Sequence, residues 1–506
     1  MSLSVTSLVR AARALALALP IVILLAAYTA ATAFAAVICV PSDAVDGSCT
    51  VGQSQATIQA AINAAVTGVD TVRVGPGTYN ENLTLGKNIP LLGAQNGVAA
   101  CGRVAGESVI TAATGDLLTL VTGSAGARIN GFHFSGATRG IVSASGPIDA
   151  IEIRNNRFTG FTASGVFLND TGIDITVDQN ELDGAGKTGG GASFHLDTDG
   201  FDGFHFTNNC VQNAALGAGF FTDGVRNVGL SANRGPLFDG NLFVNQVTNV
   251  GVNIGSRAVE DAVFSNNVFR LNGFDGLQGG PIRTTFTGNT FDRNGRSGLV
   301  MTSFGNQTAG RGSSFVTISQ NCFVDNGLVQ VSGGGLRFSA QPDNQATNVF
   351  NNNDFIGNTP GAANSDADTI NGTLNYWGAA DGPSGDGAGS GDAVQGTLGG
   401  GAITFIPFAT TPQTALGSLC NPAPTVTPTP TTTPTPGVAQ ATQIAGVIDS
   451  GSMVGGEALG DLVPRAPQAR SQLAAGRARL GALGALGAIV AMGAAALAWV
   501  AWRRVG

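Results

Sequence analysis

The stretch Ile153-Arg154-Asn155-Asn156-Arg157-Phe158 reads apolar, polar, Asn, Asn, polar, apolar, and the chain repeats it. Further copies run Val177 to Leu182, Phe206 to Val211, Phe238 to Phe243, Phe264 to Phe269, Phe286 to Phe291, Ile318 to Phe323 and Phe350 to Phe355. The second asparagine falls at 156, 180, 209, 241, 267, 289, 321 and 353, at spacings between 22 and 32 residues. Self-similarity at such a period marks stacked structural units, each unable to bury its own apolar face.

Within each copy apolar and polar residues alternate, the periodicity of a strand. Another Asn or Gly follows four or five positions on, at Gly160, Asn213, Asn245, Asn272, Asn294, Asn326 and Asn358. A Gly before an apolar residue comes later in most copies, as in Gly165-Val166, Gly219-Phe220 and Gly298-Leu299. Asn and Gly tolerate the left-handed backbone of a sharp bend. Each period therefore predicts three short strands joined by bends, stacked with Phe on Phe inside and amide on amide at the bends. The expected fold class is all-β, a right-handed parallel β-helix with the single-stranded solenoid running over residues 36–421. Phe269 and Phe291 are expected at equivalent inward positions in adjacent coils.

The flanks of the repeat predict other elements. Residues 1–35 read as a signal peptide: Arg10 and Arg13 precede an apolar run, and Ala33-Phe34-Ala35 fits a small-x-small cleavage site. Ile58, Ala61, Ile62, Ala65 and Val66 share one helical face, suited to an N-terminal capping helix. Residues 422–436 form a Pro/Thr stalk and 437–479 a low-complexity spacer. Leu480 to Trp502 carries no charge over 23 residues and predicts a C-terminal transmembrane helix, with Arg503-Arg504 in a cytoplasmic tail. The expected placement is the extracellular face of the membrane, as a monomer anchored through that helix.

The net charge is −8, and Lys occurs only at 87 and 187, so no basic groove for nucleic acid is expected. Six Cys in 506 residues do not read as a disulfide scaffold, although export suits a Cys39–Cys49 pair. Cys210 and Cys322 lie coils apart and are not expected to pair with each other.

The segment Thr57-Ile58-Gln59-Ala60-Ala61-Ile62-Asn63-Ala64-Ala65, followed by Asp70-Thr71-Val72-Arg73-Val74-Gly75-Pro76-Gly77-Thr78-Tyr79-Asn80, resembles the start of pectin-lyase-like β-helix proteins. Asn375-Tyr376-Trp377-Gly378, Asp381-Gly382-Pro383-Ser384-Gly385 and Ile406-Pro407-Phe408 resemble the closing segment of bacterial β-helix repeat proteins. The resemblance spans about 53–410 and implies that fold. It leaves function open, since the superfamily holds lyases, hydrolases, esterases, epimerases and proteins without catalysis.

One region concentrates groups able to do chemistry: Phe194-His195-Leu196-Asp197-Thr198-Asp199-Gly200-Phe201-Asp202-Gly203-Phe204-His205. Asp197-Thr198-Asp199-Gly200-Phe201-Asp202 resembles the Asn-Thr-Asp-Gly-x-Asp motif of polygalacturonases, which would make Asp199 a catalytic carboxylate. The chain departs from that family in lacking a Gly-His-Gly and any lysine beyond 187. Aligning the segments as Phe-x-x-Asp puts Asp170, Asp197 and Asp223 in one column, neighbours roughly 4.8 Å apart. Such a column suits calcium, and Asp197, Asp199 and Asp223 are the candidate catalytic carboxylates. His195, Asp202 and His205 are candidate ligand-binding residues. The leading expectation is a non-catalytic surface protein that binds polysaccharide or a cell-surface glycan; the alternative is a polysaccharide-acting enzyme using Asp170, Asp197, Asp199 and Asp223.

Overall fold

The computed structural model describes residues 35–413 and Cys420, apart from 42–48, 51, 198–200, 227–234, 256–258, 303–311, 328, 330–332, 341–344 and 397–400. The strand pairings among the described residues are parallel, most of them between successive coils, as with Phe158 opposite Leu182 and Val177 opposite Phe206. Among the described residues the strands form one 14-stranded, one 13-stranded and one 11-stranded sheet, with a three-stranded strip at a corner. The 14-stranded sheet runs from Val37–Val40 to Ile403–Thr404, and the 11-stranded sheet from Gly77–Asn80 to Asp354–Ile356. The expected parallel β solenoid is the observed fold.

The core is a stack of rings. Phe243, Phe269, Phe291, Phe323, Phe355 and Trp377 lie face to face with centroids 4.7 to 5.2 Å apart. All six are fully buried. Offset ring stacking adds to the apolar burial of each side chain. Phe269 and Phe291 are opposite one another, as expected.

The two asparagines of the repeated phrase do different work. The first position takes the left-handed backbone: Asn155, Gln179, Asn208, Asn266, Gln320 and Asn352 have φ between 53° and 57°, and Gly240 and Gly288 have 65° and 67°. The second is fully buried and turns its amide along the axis. Asn289 Oδ1 accepts from Asn267 N–H at 3.0 Å and from Asn267 Nδ2 at 2.9 Å. Its own Nδ2 donates to Phe264 O at 2.8 Å and to Asn321 Oδ1 at 2.9 Å. The pattern runs unbroken through Asn156, Asn180, Asn209, Asn241, Asn267, Asn289, Asn321, Asn353 and Asn375.

Near the N-terminal end, helix Ile58–Ala64 buries Ile58, Ala61 and Ile62. Thr57 Oγ1 accepts from Ala60 N–H, and the Glu81 carboxylate takes the N–H groups of Ile58 and Gln59, so the first turn leaves few donors unmet. Three disulfides hold the chain: Cys39–Cys49, Cys101–Cys210 and Cys322–Cys420. This corrects the reading that the cysteines are not a framework. Cys101 and Cys420 lie outside the repeats, so their partners have no spacing signal. The strap carrying Cys101 also sends Arg103 to Asn155 O and Phe132 O, crossing several coils.

The expected membrane-anchored placement is also corrected. Among the described residues no helix is long and apolar enough to cross a membrane. The segment 480–502, the signal peptide, the stalk and the spacer lie outside the described residues.

Because Asn289 serves four buried hydrogen bonds, it is not a replaceable bend residue. Phe291→Ala is expected to cost about 3–5 kcal/mol through its cavity. Asn289→Ala is expected to cost about 3 kcal/mol or more, from stranded donors and acceptors. By contrast Asn266→Gly, at the positive-φ position, is expected to cost less than about 1 kcal/mol. Urea unfolding of the three variants measures this; an Asn289→Ala variant as stable as Asn266→Gly would show that the ladder bears no load.

Candidate functional site on the 13-stranded sheet

Outward side chains on a parallel stack fall into columns, one per strand position. On the 13-stranded sheet the central outward column reads Val142, Phe167, His195, Phe221, Asn253, Gln278, Val300 and Arg337. His195 sits between two rings, with centroids 4.9 Å from Phe167 and 4.7 Å from Phe221, each nearly perpendicular to it. Arg139 packs over Phe167 at 4.6 Å from its centroid. Among the described residues His195 Nε2 is buried and makes no hydrogen bond, while Asp197 Oδ1 lies 3.5 Å away.

The acidic column is shifted from expectation by one residue. Phe167 pairs with His195, and Leu168 pairs with Leu196 and, through it, with Thr222. The next position in line is therefore Asn169, Asp197 and Asp223. The backbone continues this register: Asp197 N–H donates to Leu168 O at 3.0 Å and Asp223 N–H to Leu196 O at 3.2 Å. Asp170 stands one residue further along. The Phe-x-x-Asp alignment equated Phe167 with Phe194 and Phe220, but Phe194 and Phe220 are fully buried in the core and Phe167 points out. The Gly-apolar signal, Gly165-Val166 against Gly219-Phe220, carries the register the structure adopts.

Asp170 has its own surroundings. Its N–H donates to Ser143 Oγ at 3.2 Å, and its Oδ2 is buried without a hydrogen bond among the described residues. Burial pushes its carboxyl above the usual carboxylate range, against the Ser143 hydrogen bond. Lys187 is almost fully buried. Its amine donates to Gly191 O and Leu216 O, and burial pulls its ammonium down to about 8. It ties the segment leading into the strand of His195.

The remaining candidates separate. His205 faces outward on the 14-stranded sheet between Thr176 and Leu237. Asp202 is buried in the corner strip, and Asp199 lies outside the described residues. The structure thus gathers His195, Asp197 and Asp223 on one face, with Asp170 nearby in sequence register, and leaves Asp202 and His205 on others. Among the described residues no group of three His, Cys, Asp or Glu is placed to hold a metal ion. Phe167, Phe221 and Arg139 join the site without having been singled out. Their signal was the same Gly-apolar register.

The fold is a parallel β solenoid. Solved structures similar to it include an alginate lyase from Paenibacillus sp. str. FPU-7, at 12% identity and TM-score 0.38, covering 68% of this chain and 95% of that one. Pectate lyase Pel9A aligns at 14% identity and TM-score 0.33 over 62% of this chain and 80% of its own. The A-module of the Azotobacter vinelandii mannuronan C-5 epimerase AlgE6 aligns at 15% identity and TM-score 0.32, over 69% and 94%. No protein-family model matches the chain. No curated protein matches it either.

A third histidine gives the stack a pH signature. Burial, with the Arg157 charge beside it, pushes His133 down to about 4, and its Nε2 meets Thr159 Oγ1 at 2.8 Å. The unfolded chain takes that proton near the ordinary imidazole value of 6.5, the folded chain only near 4. Stability from neutral His133 is therefore full above pH 6.5 and is lost as pH falls toward 4. Melting temperatures between pH 7 and 4 should fall less steeply for His133→Gln than for the native chain; parallel curves would contradict this.

Proposed function

We propose that the chain recognises a polysaccharide along the outward column of the 13-stranded sheet. Phe167, His195 and Phe221 form its aromatic part; Asn253, Gln278 and Arg337 continue it with polar groups. A pyranose chain advances at a spacing on the order of the strand separation, about 5 Å, so successive sugars meet successive rungs. Ligand sites combine an apolar aromatic lining with a few placed polar groups, and this face has both. The observation that carries the reading is His195, fixed between two rings with Nε2 unbonded among the described residues and Asp197 at 3.5 Å.

The same observation favours a second reading, catalysis on that ligand. An imidazole beside a carboxylate is equipped for proton transfer. Asp170, with its carboxyl pushed above the usual range by burial, follows the strand that carries Phe167 and is a further candidate proton donor. Asp197 and Asp223 are the residues that would hold a calcium ion on this face, where it would supply positive charge to an acidic ligand.

The full chain is tested for binding and for cleavage against acidic and neutral polysaccharides, with calcium and with a chelator. Binding is expected to weaken at least about ten-fold in His195→Ala. Cleavage, where it occurs, is expected to vanish in His195→Gln and Asp197→Asn at unchanged melting temperature. A His195→Ala variant that binds the same polysaccharide as tightly as the native chain would remove this face as the site.

A further inference from the structure

One glycine is bare for the sake of its neighbours' side chains. After the strand Val252–Ile254, Gly255 N–H donates to Thr222 O at 2.6 Å, which continues the register of Asp197 and Asp223. Gly255 is therefore the next rung of the acidic column. Further along, Thr302 N–H donates to Gly279 O and Ser339 N–H to Met301 O, so later rungs carry side chains again. The φ of Gly255 lies outside the left-handed region, so the backbone does not call for glycine there. What the position lacks is room. A Cβ would stand 2.6 Å from Asp223 Oδ1, and 2.7 and 2.9 Å from Cζ and Cε2 of Phe221. The Phe221 ring and the Asp223 carboxylate thus occupy the space of the missing side chain. Gly251 of the same coil is a contrast: its Cβ would meet Gly276 O at 2.5 Å, a main-chain atom of the stack.

Both groups belong to the His195 face. Phe221 packs on His195 with centroids 4.7 Å apart and rings nearly perpendicular, and Phe167 closes the other side at 4.9 Å. Asp223 follows Asp197 in the column, and the Asp197 carboxylate lies 3.5 Å from His195 Nε2. A Phe221 ring displaced from Gly255 finds no free place toward His195, because that imidazole is already held between two rings. The ends of a phenylalanine and an aspartate side chain can turn where packed main chain cannot, so an added methyl moves the face before it strains the stack. We propose that Gly255 is a positioning residue of this face: its missing side chain lets Phe221 lie against His195 and Asp223 stand in the acidic column, and a polysaccharide is recognised only with that rung bare. The inference rests on the reading of this face as a polysaccharide site.

The test compares the full native chain with Gly255→Ala by histidine-selective NMR, by thermal melting and by binding to a panel of acidic and neutral polysaccharides. The chain has three histidines, so the His195 signals are assigned by their loss in His195→Gln. Gly255→Ala is expected to shift the His195 ring protons, which lie in the ring currents of Phe167 and Phe221, and to leave those of His133 and His205 in place. Its melting temperature is expected to equal that of the native chain or to lie slightly above it. Binding of the polysaccharide that the native chain takes is expected to weaken at least about ten-fold. Unmoved His195 signals overturn the proposal, whether or not any polysaccharide binds. So does a variant that binds as tightly as the native chain, or one that melts well below it, since the glycine would then serve the stack. A native chain that binds no polysaccharide overturns the proposed function of the face and leaves Gly255 to be judged by the His195 signals.

Discussion

The structure depends on buried amides that hydrogen-bond along the axis of the solenoid. A coil that turns sharply leaves main-chain N–H and C=O groups inside the bend, where no water reaches them and each unmet group costs about 1–3 kcal/mol. The side-chain amide of asparagine has the matching pair of functions at the right reach. One oxygen takes two donors from the coil before, and one NH₂ serves that coil's carbonyl and the next rung. No other small side chain supplies both. A slip of one residue would misplace a whole column of amides at once, so the ladder fixes register as firmly as the phenylalanine stack does.

Register in turn decides what the surface can do. Because coils are locked together, the outward residues of separate repeats become neighbours: Phe167, His195 and Phe221 come from three coils, as do Asn169, Asp197 and Asp223. The repeat supplies no chemistry of its own. Departures from it do. His195 stands between rings where later coils carry Asn253 and Gln278, and Gly255 leaves a bare rung beside Asp223.

Much of the fold was legible in the sequence, because the same physical demand recurs in each coil and leaves the same letters. The second asparagine, the inward Phe269 and Phe291 and the face of the Ile58–Ala64 helix were all readable. Which of the paired asparagines takes the left-handed backbone was less so, since both residue types tolerate it; the tolerance of Gly240 and Gly288 at the first position was the available clue. The acidic column was misaligned because phenylalanine serves both faces of this sheet, inward at Phe194 and outward at Phe167. The pairs Cys101–Cys210 and Cys322–Cys420 were not legible, as each joins a repeat to a segment without periodicity. His195 was singled out from its neighbours in sequence, but the rings that flank it arrive only through the stacking of coils.

Native-state hydrogen exchange tests the central claim most directly, read at the main-chain amides of Asn180, Asn209, Asn241, Asn267, Asn289 and Asn321. Each donates to the amide oxygen of the next rung. If the ladder holds the coils in register, these protons exchange only through global unfolding, with the same free energy as the amides of the flanking strands. Exchange at several of them through local opening, while the strands stay protected, would show that the bends are passive and that the phenylalanine stack alone sets the register.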